Sequence, residues 1–173
     1  MFIRVHPRLI LLFMSNHVGI GYDIHRLVPG RRLVLGGVEI PYERGLDGHS
    51  DADVLIHALC DALLGALGKG DIGEHFPNTD NRYRNISSLI LLEQVHAIVR
   101  EEKYQINNID VIIIAQEPQL QIYKAQMRST IAHTLALEEK VVNIKATTPE
   151  GLGALGNKEG IAAWVSTIIS RKV

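Results

Sequence analysis

The sequence is short of several things, and each shortage argues against a class of function. Its single cysteine, Cys60, cannot form an internal disulfide, which suits a reducing compartment. Within an apolar helical stretch it reads as a small buried hydrophobe. Neither sign of charge is in excess: 18 Lys and Arg stand against 19 Asp and Glu, a net charge of -1. With no basic block and no basic stripe interleaved with aromatics, general nucleic-acid binding is disfavoured. A small anionic substrate is not, because a metal or a helix N-terminus supplies positive potential locally. No apolar run approaches the ~20 residues that cross a bilayer, so the expectation is a cytoplasmic protein without a membrane partner. Arg4 and Arg8 precede a short apolar run from Leu9 to Met14, but the stretch is too short for a signal peptide and lacks a small-residue cleavage site. Residues 1–16 are read as an N-terminal extension and 17–173 as one domain.

What is present is an ordinary globular composition, with 46% hydrophobic and 21% charged residues in 173. A domain of this size buries roughly 70% of its unfolded surface, enough for a sizeable core. His17 to Tyr22 reads as a strand, and Arg32 to Leu35 with Val38 to Ile40 as a hairpin around Gly36-Gly37. A polar, mobile loop is expected from Pro41 to Ser50, and a helix from Asp53 to Leu67 closed by Gly68 and Gly70. After a second loop from Asp71 to Asn85, Ser87 or Ser88 caps a helix to about Lys103. Ile106 to Ala115 is an apolar strand, Gln121 to Ala136 an amphipathic helix and Val141 to Ala146 a strand. A glycine-rich turn then leads to an expected helix from about Glu159 to Ser170. The fold class is α/β (α+β): a single domain with a small mixed four-stranded sheet covered by helices on one face.

Three groups of residues carry chemistry. Asp23 and His25 sit two apart at a strand end, so both face one side and can point at one ion. The helix from Asp53 is apolar nearly all round, yet Asp53, His57 and Asp61 make one polar stripe at a spacing of four. Burying that stripe without partners would cost several kcal/mol. Either it faces a solvated cleft, or His57 joins Asp23 and His25 in a two-His, one-carboxylate set suited to a catalytic zinc with an open position. The third group, Thr147-Thr148-Pro149-Glu150, places two hydroxyls and a carboxylate on a loop at a strand end, where they can meet phosphate oxygens and a Mg²⁺ ion. Gly151 to Gly156 match G-x-G-x-x-G, but four residues separate them from the strand and no βαβ unit follows, so a dinucleotide site is rejected.

Several ordered segments together resemble the 2-C-methyl-D-erythritol 2,4-cyclodiphosphate synthase family. They are G-x-G-Y-D-x-H-R at Gly19 to Arg26, G-H-S-D-x-D-V-x-x-H-A at Gly48 to Ala58, D-A-L-L-G-A-L at Asp61 to Leu67, and G-D-I-G-x-x-F-P-x-T-D at Gly70 to Asp80. I-I-A-Q-x-P at Ile113 to Pro118, Q-M-R at Gln126 to Arg128, N-I-K-A-T-T at Asn143 to Thr148 and E-G-I-A at Glu159 to Ala162 complete a likeness that runs from Val18 to Lys172.

The resemblance implies a homotrimer with active sites between subunits, zinc held by Asp23, His25 and His57, and a second ion, Mg²⁺ or Mn²⁺, held by Glu150. It further implies that His49, Ser50 and the loop from Asp71 to Asn78, with Gly73 and Phe76, line a methylerythritol phosphate pocket. Ala115, Pro118, Gln119, Leu120, Gln121, Ala146, Thr147 and Thr148 would form the cytidine pocket. Asp61 is expected to orient the helix-borne histidine, and Thr148 to assist the reacting phosphates. The implied reaction converts 4-diphosphocytidyl-2-C-methyl-D-erythritol 2-phosphate to the cyclic 2,4-diphosphate with release of CMP, in non-mevalonate isoprenoid synthesis. Asn78, Gln119 and Leu155 to Lys158 depart from the family's usual residues: Asn78, in place of Asp, keeps an oxygen that can accept from a sugar hydroxyl, while Gln119 and Leu155 to Lys158 lack a Lys and an Arg whose charges would meet phosphates. A zinc-dependent phosphohydrolase and a noncatalytic zinc-binding module are the rival readings; three ligands instead of four, plus Glu150, argue against the second.

Overall fold

The computed structural model describes residues 16–172. All of the N-terminal extension except Asn16 lies outside them. Five strands form the main sheet: β1 (Asn16–Pro29), β4 (Arg44–Leu46), β5 (Tyr104–Ile114), β6 (Val142–Thr147) and β7 (Gly160–Arg171), in the order β4-β1-β7-β5-β6. β2 (Leu33–Leu35) and β3 (Val38–Ile40) make the expected hairpin as a separate two-stranded ribbon. The sheet is mixed as anticipated, but it has five strands and not four. The difference is β4, which lies inside the supposed mobile loop and is anchored by pairing Leu46 with Leu27 of β1.

The C-terminal segment corrects the sequence reading outright: residues 160–171 are a strand and not a helix. Ile161, Ala163, Val165, Thr167 and Ile169 alternate as buried residues facing the helices, the period of two that a strand requires. Trp164 and Ile168, on the other face, are also apolar, which blurs that alternation into an apparently helical run. β7 occupies the middle of the sheet, antiparallel to both β1 and β5.

One face of the sheet carries the helices. α1 (Val54–Leu67) packs on β1 and β7, α3 (Ser88–Glu101) on α1 and β5, and α4 (Lys124–Thr134) on β6. α1 is buried nearly all round because it lies between the sheet and α3. Its start is fixed by Asp53, whose Oδ1 accepts from Ile56 N at 3.1 Å, an N-cap. The same buried carboxylate accepts from Gly36 N at 2.9 Å and Gly37 N at 2.7 Å, tying the β2–β3 turn to the helix. The second expected loop contains a short helix, α2 (Ile72–His75), and a 3₁₀ turn at Asn81–Tyr83. The opposite face of the sheet is bare and apolar, with Val18, Ile20, Tyr22, Ile24, Trp164 and Ile168 all exposed. No helix among the described residues is long and apolar enough to cross a membrane.

Candidate functional site

Asp23 and His25 lie on the helix-facing side of β1, the side that also carries Gly19 and Gly21. A Cβ on Gly19 would stand 1.8 Å from the carbonyl oxygen of Ala62, and one on Gly21 would stand 1.9 Å from that of Ala58. Only glycine lets the helix lie this close to the strand. Because Ala58 follows His57, this approach brings the His57 ring down onto the two strand residues.

There the three side chains converge. Asp23 Oδ2 lies 2.9 Å from His25 Nε2 and 3.1 Å from His57 Nδ1, and the two ring nitrogens are 3.1 Å apart. Among the described residues this is the one group of three or more His, Cys, Asp or Glu able to hold a metal ion. His25 Nδ1 is 2.7 Å from the carbonyl oxygen of Asp47, to which it can only donate. The neutral ring therefore turns a lone pair into the triangle. Tetrahedral ligands bonded at about 2.0–2.1 Å lie about 3.3 Å from one another, so the triangle needs to open by only a few tenths of an ångström to fit a divalent cation.

Electrostatics agree with the donor set. Burial opposes ionisation of Asp23, but hydrogen bonds and charge from His25 and His57 outweigh it and hold its carboxyl well below the usual carboxylate range. Burial likewise opposes a charged His25, and Asp23 more than offsets this, raising its pKa. The site stabilises positive charge between these side chains.

The two histidines of the triad, His25 and His57, border a cavity of about 270 Å³ whose wall also includes His49, Ser50, Gly73, Phe76 and Asn78. Asp71 is not on that wall; it caps α2 through Glu74 N at 3.0 Å. Asp61 makes no hydrogen bond to His57. It accepts from Ile72 N at 2.8 Å and so anchors the loop that closes the cavity, while burial raises its pKa. A second cavity, of about 170 Å³, collects Ala115, Pro118, Gln119, Leu120, Gln121, Ala146, Thr147 and Thr148 at the ends of β5 and β6, with Gln116 added. Beside it, Thr148 Oγ1 donates to Glu150 Oε1 at 2.7 Å, and Glu150 holds a left-handed backbone with φ of 54°, an unusual conformation for a non-glycine residue. The two cavities share no lining residue. They do open at the same end of the sheet, since Ile24 of β1 and Ile114 of β5 both pair with Ala162 of β7.

Sequence reasoning missed Asp47, Tyr83 and Leu91 on the first cavity, and Asp51 and Ser88 behind His57. Ser88 was legible only as a possible helix cap; Ser87 takes that position.

Comparison with known proteins fits this arrangement. The profile of the YgbB family matches residues 16–170. A curated relative from Alkaliphilus metalliredigens, named 2-C-methyl-D-erythritol 2,4-cyclodiphosphate synthase, is 60% identical over 146 residues, covering 84% of this chain and 92% of its own. The solved IspF from Plasmodium falciparum in complex with CDP is 31% identical with a TM-score of 0.82, over 93% of this chain and 99% of its own. The bifunctional IspDF from Campylobacter jejuni is 46% identical with a TM-score of 0.88, over 91% of this chain; the chain spans only 43% of that larger protein. From these matches and the fold they share, the chain belongs to the YgbB family, that of the 2-C-methyl-D-erythritol 2,4-cyclodiphosphate synthases.

Proposed function

We propose that this chain converts 4-diphosphocytidyl-2-C-methyl-D-erythritol 2-phosphate to 2-C-methyl-D-erythritol 2,4-cyclodiphosphate and CMP. An oxygen of the substrate's 2-phosphate bonds to the β-phosphorus. The bond from that phosphorus to the bridging oxygen breaks, and CMP departs with the oxygen. The attacking phosphate is already anionic near neutral pH, so no general base is required. What remains is positioning and neutralisation of charge.

The observation that carries this reading is the pair of cavities at one end of the sheet, one bordered by the two histidines of the ligand triad and one by Thr147 and Thr148 with Glu150 beside them. Asp23, His25 and His57 would hold zinc, and Glu150 a Mg²⁺ or Mn²⁺ ion. When bound, the two cations supply Lewis-acid polarisation of the diphosphate and stabilise charge on the departing phosphate. His49, Ser50, Gly73, Phe76 and Asn78 would grip the methylerythritol phosphate end. Ala115, the Pro118 to Gln121 turn and Ala146 to Thr148 would seat the cytidine, in line with the CDP held by the Plasmodium relative.

The bare face of the sheet supports the homotrimer. Val18 is 65% exposed, Ile20 60% and Trp164 49%, and a contiguous apolar surface of this kind marks an interface.

Incubating the chain with the cytidylyl substrate, Zn²⁺ and Mg²⁺, and following products by phosphorus NMR, tests the proposal. A cyclic diphosphate with one equivalent of CMP is expected. CMP with an open-chain bisphosphate would show water attacking instead, and unchanged substrate would leave only a binding role; either result overturns the reading.

A further inference from the structure

We infer that Asp51 and Ser88 fix the ring proton of His57 on Nε2 and so aim its Nδ1 lone pair at the metal position. The inference rests on the reading of Asp23, His25 and His57 as a metal centre, and goes beyond it by assigning two positioning residues that touch neither metal nor substrate.

Counting protons behind the ring gives the argument. His57 Nε2 lies 2.9 Å from Ser88 Oγ and 3.0 Å from Ser50 Oγ, and distances alone leave the tautomer open, since a hydroxyl can donate or accept. Asp51 decides the matter. Its carboxylate accepts from the Ser88 backbone N at 3.0 Å through Oδ2 and from Ser88 Oγ at 2.5 Å through Oδ1. A carboxylate has no proton to give, so the single hydroxyl proton of Ser88 is committed to Asp51. What Ser88 Oγ turns toward His57 is a lone pair, and the ring must supply the proton. Ser50 Oγ accepts from Ala52 N at 3.1 Å, and its own proton has two acceptors in reach, His57 Nε2 at 3.0 Å and Ser88 Oγ at 3.3 Å; a ring that carries its proton on Nε2 leaves only the second.

Every hydrogen bond in the cluster is then satisfied in one direction only, Ser50 and His57 to Ser88, and Ser88 to Asp51. Ser88 is wholly buried and Ser50 nearly so, so little water is at hand to substitute for a lost partner, and a wrong tautomer would be costly. On the opposite edge of the ring, Nδ1 lies 3.1 Å from both Asp23 Oδ2 and His25 Nε2; Asp23 is the acceptor that competes for the ring proton when no ion is bound, and with that proton held on Nε2 the ring offers a lone pair, the form in which imidazole binds a metal. His25 is set the same way by the Asp47 carbonyl, so both imidazoles are oriented from behind, one by a backbone carbonyl and one by a serine and a carboxylate.

Asp51→Asn is the discriminating variant because it barely changes shape. The Ser88 backbone N–H still requires an oxygen, which turns the amide NH₂ toward Ser88 Oγ. The serine proton, displaced from Asp51, is then free to point at His57 Nε2 and favours the opposite tautomer. The test uses the full chain, metal-free, with nitrogen-15 histidine, at a mildly alkaline pH. Long-range proton–nitrogen correlation is expected to show His57 protonated on Nε2 in the wild type and in Ser50→Ala, and shifted toward Nδ1 in Asp51→Asn. Zinc titration against a competing chelator is expected to show affinity lowered about 10–100-fold in Asp51→Asn and Ser88→Ala. A wild-type ring protonated on Nδ1, or an Asp51→Asn protein with wild-type tautomer and wild-type zinc affinity, overturns the inference. A wild type that binds no zinc overturns the metal reading and this inference with it, whereas zinc binding unchanged by both variants overturns this inference alone.

Discussion

Gly21→Ala adds one methyl group at the closest contact between β1 and α1, and the structure sets the size of its effect. The new Cβ would stand 1.9 Å from the carbonyl oxygen of Ala58, where real Cβ contacts essentially never fall below 3.0 Å. Strand and helix must therefore separate by about 1 Å, an overpacking that typically costs about 1–3 kcal/mol. The metal triangle is less forgiving, because metal–ligand distances tolerate only about ±0.2 Å. His57 rides on the displaced helix while Asp23 and His25 stay on the strand, so a 1 Å withdrawal breaks the set of three into two. Zinc affinity is expected to fall by about 100-fold or more, well beyond what the loss of stability alone would produce. The assay pairs chelator-competed zinc titration with urea unfolding of the metal-free protein. Gly65→Ala is the matching control: its Cβ would meet nothing nearer than 3.9 Å, and alanine in a helix should stabilise by about 0.5–1 kcal/mol with zinc affinity unchanged. A Gly21→Ala protein with wild-type zinc affinity would refute the account of why this strand carries glycine.

Three further outcomes are expected. Glu150→Gln should retain fold and zinc but lose about 100-fold or more in turnover with little change in substrate affinity, partly restored by raised Mg²⁺; wild-type turnover at limiting Mg²⁺ would make it an ordinary surface residue. Burial, with the nearby charge of Asp51, pushes the pKa of Asp53 from 3.8 up to about 6 against the pull of three backbone N–H groups. The folded state then keeps a proton that the unfolded state has released, so this contribution is full below about pH 4 and is lost as pH rises through about 6, on the order of 3 kcal/mol. In urea unfolding across that window, Asp53→Asn should remove the slope, and parallel curves for the two proteins would count against it. Sedimentation should find a trimer as the smallest active species, and a fully active monomer would remove the interface from the proposal.

The site was legible wherever residue type and spacing were both specific. Asp23 and His25 at a strand end, with His57 on an otherwise apolar helix, pointed to one ion, and the structure brings their ligand atoms together. The polar stripe on that helix was read as a unit, however, and it is not one. Asp53 clamps the hairpin, His57 joins the triad and Asp61 holds Ile72, three tasks that spacing cannot separate. Asp51 stood in the Gly48 to Ala58 segment without a role of its own, and Ser88 was passed over because a serine at a helix start already has an ordinary explanation as a cap. The strand β7 was misread because apolar residues on both of its faces erase the alternation that distinguishes strand from helix.

The position of β7 also governs when the protein can begin to fold. β1 carries two of the three ligands and is made early, but most of its length pairs only with β7, and β5 likewise reaches β1 only through β7. On the ribosome, β1 and β5 must wait without their shared partner until Gly160 to Arg171 have cleared the exit tunnel. Long-range pairing of this kind closes slowly and leaves apolar strand edges open in the meantime. A chain arrested before β7 would have β1 and α1 but no sheet to hold them, and an ion arriving during synthesis would find its three ligands unassembled.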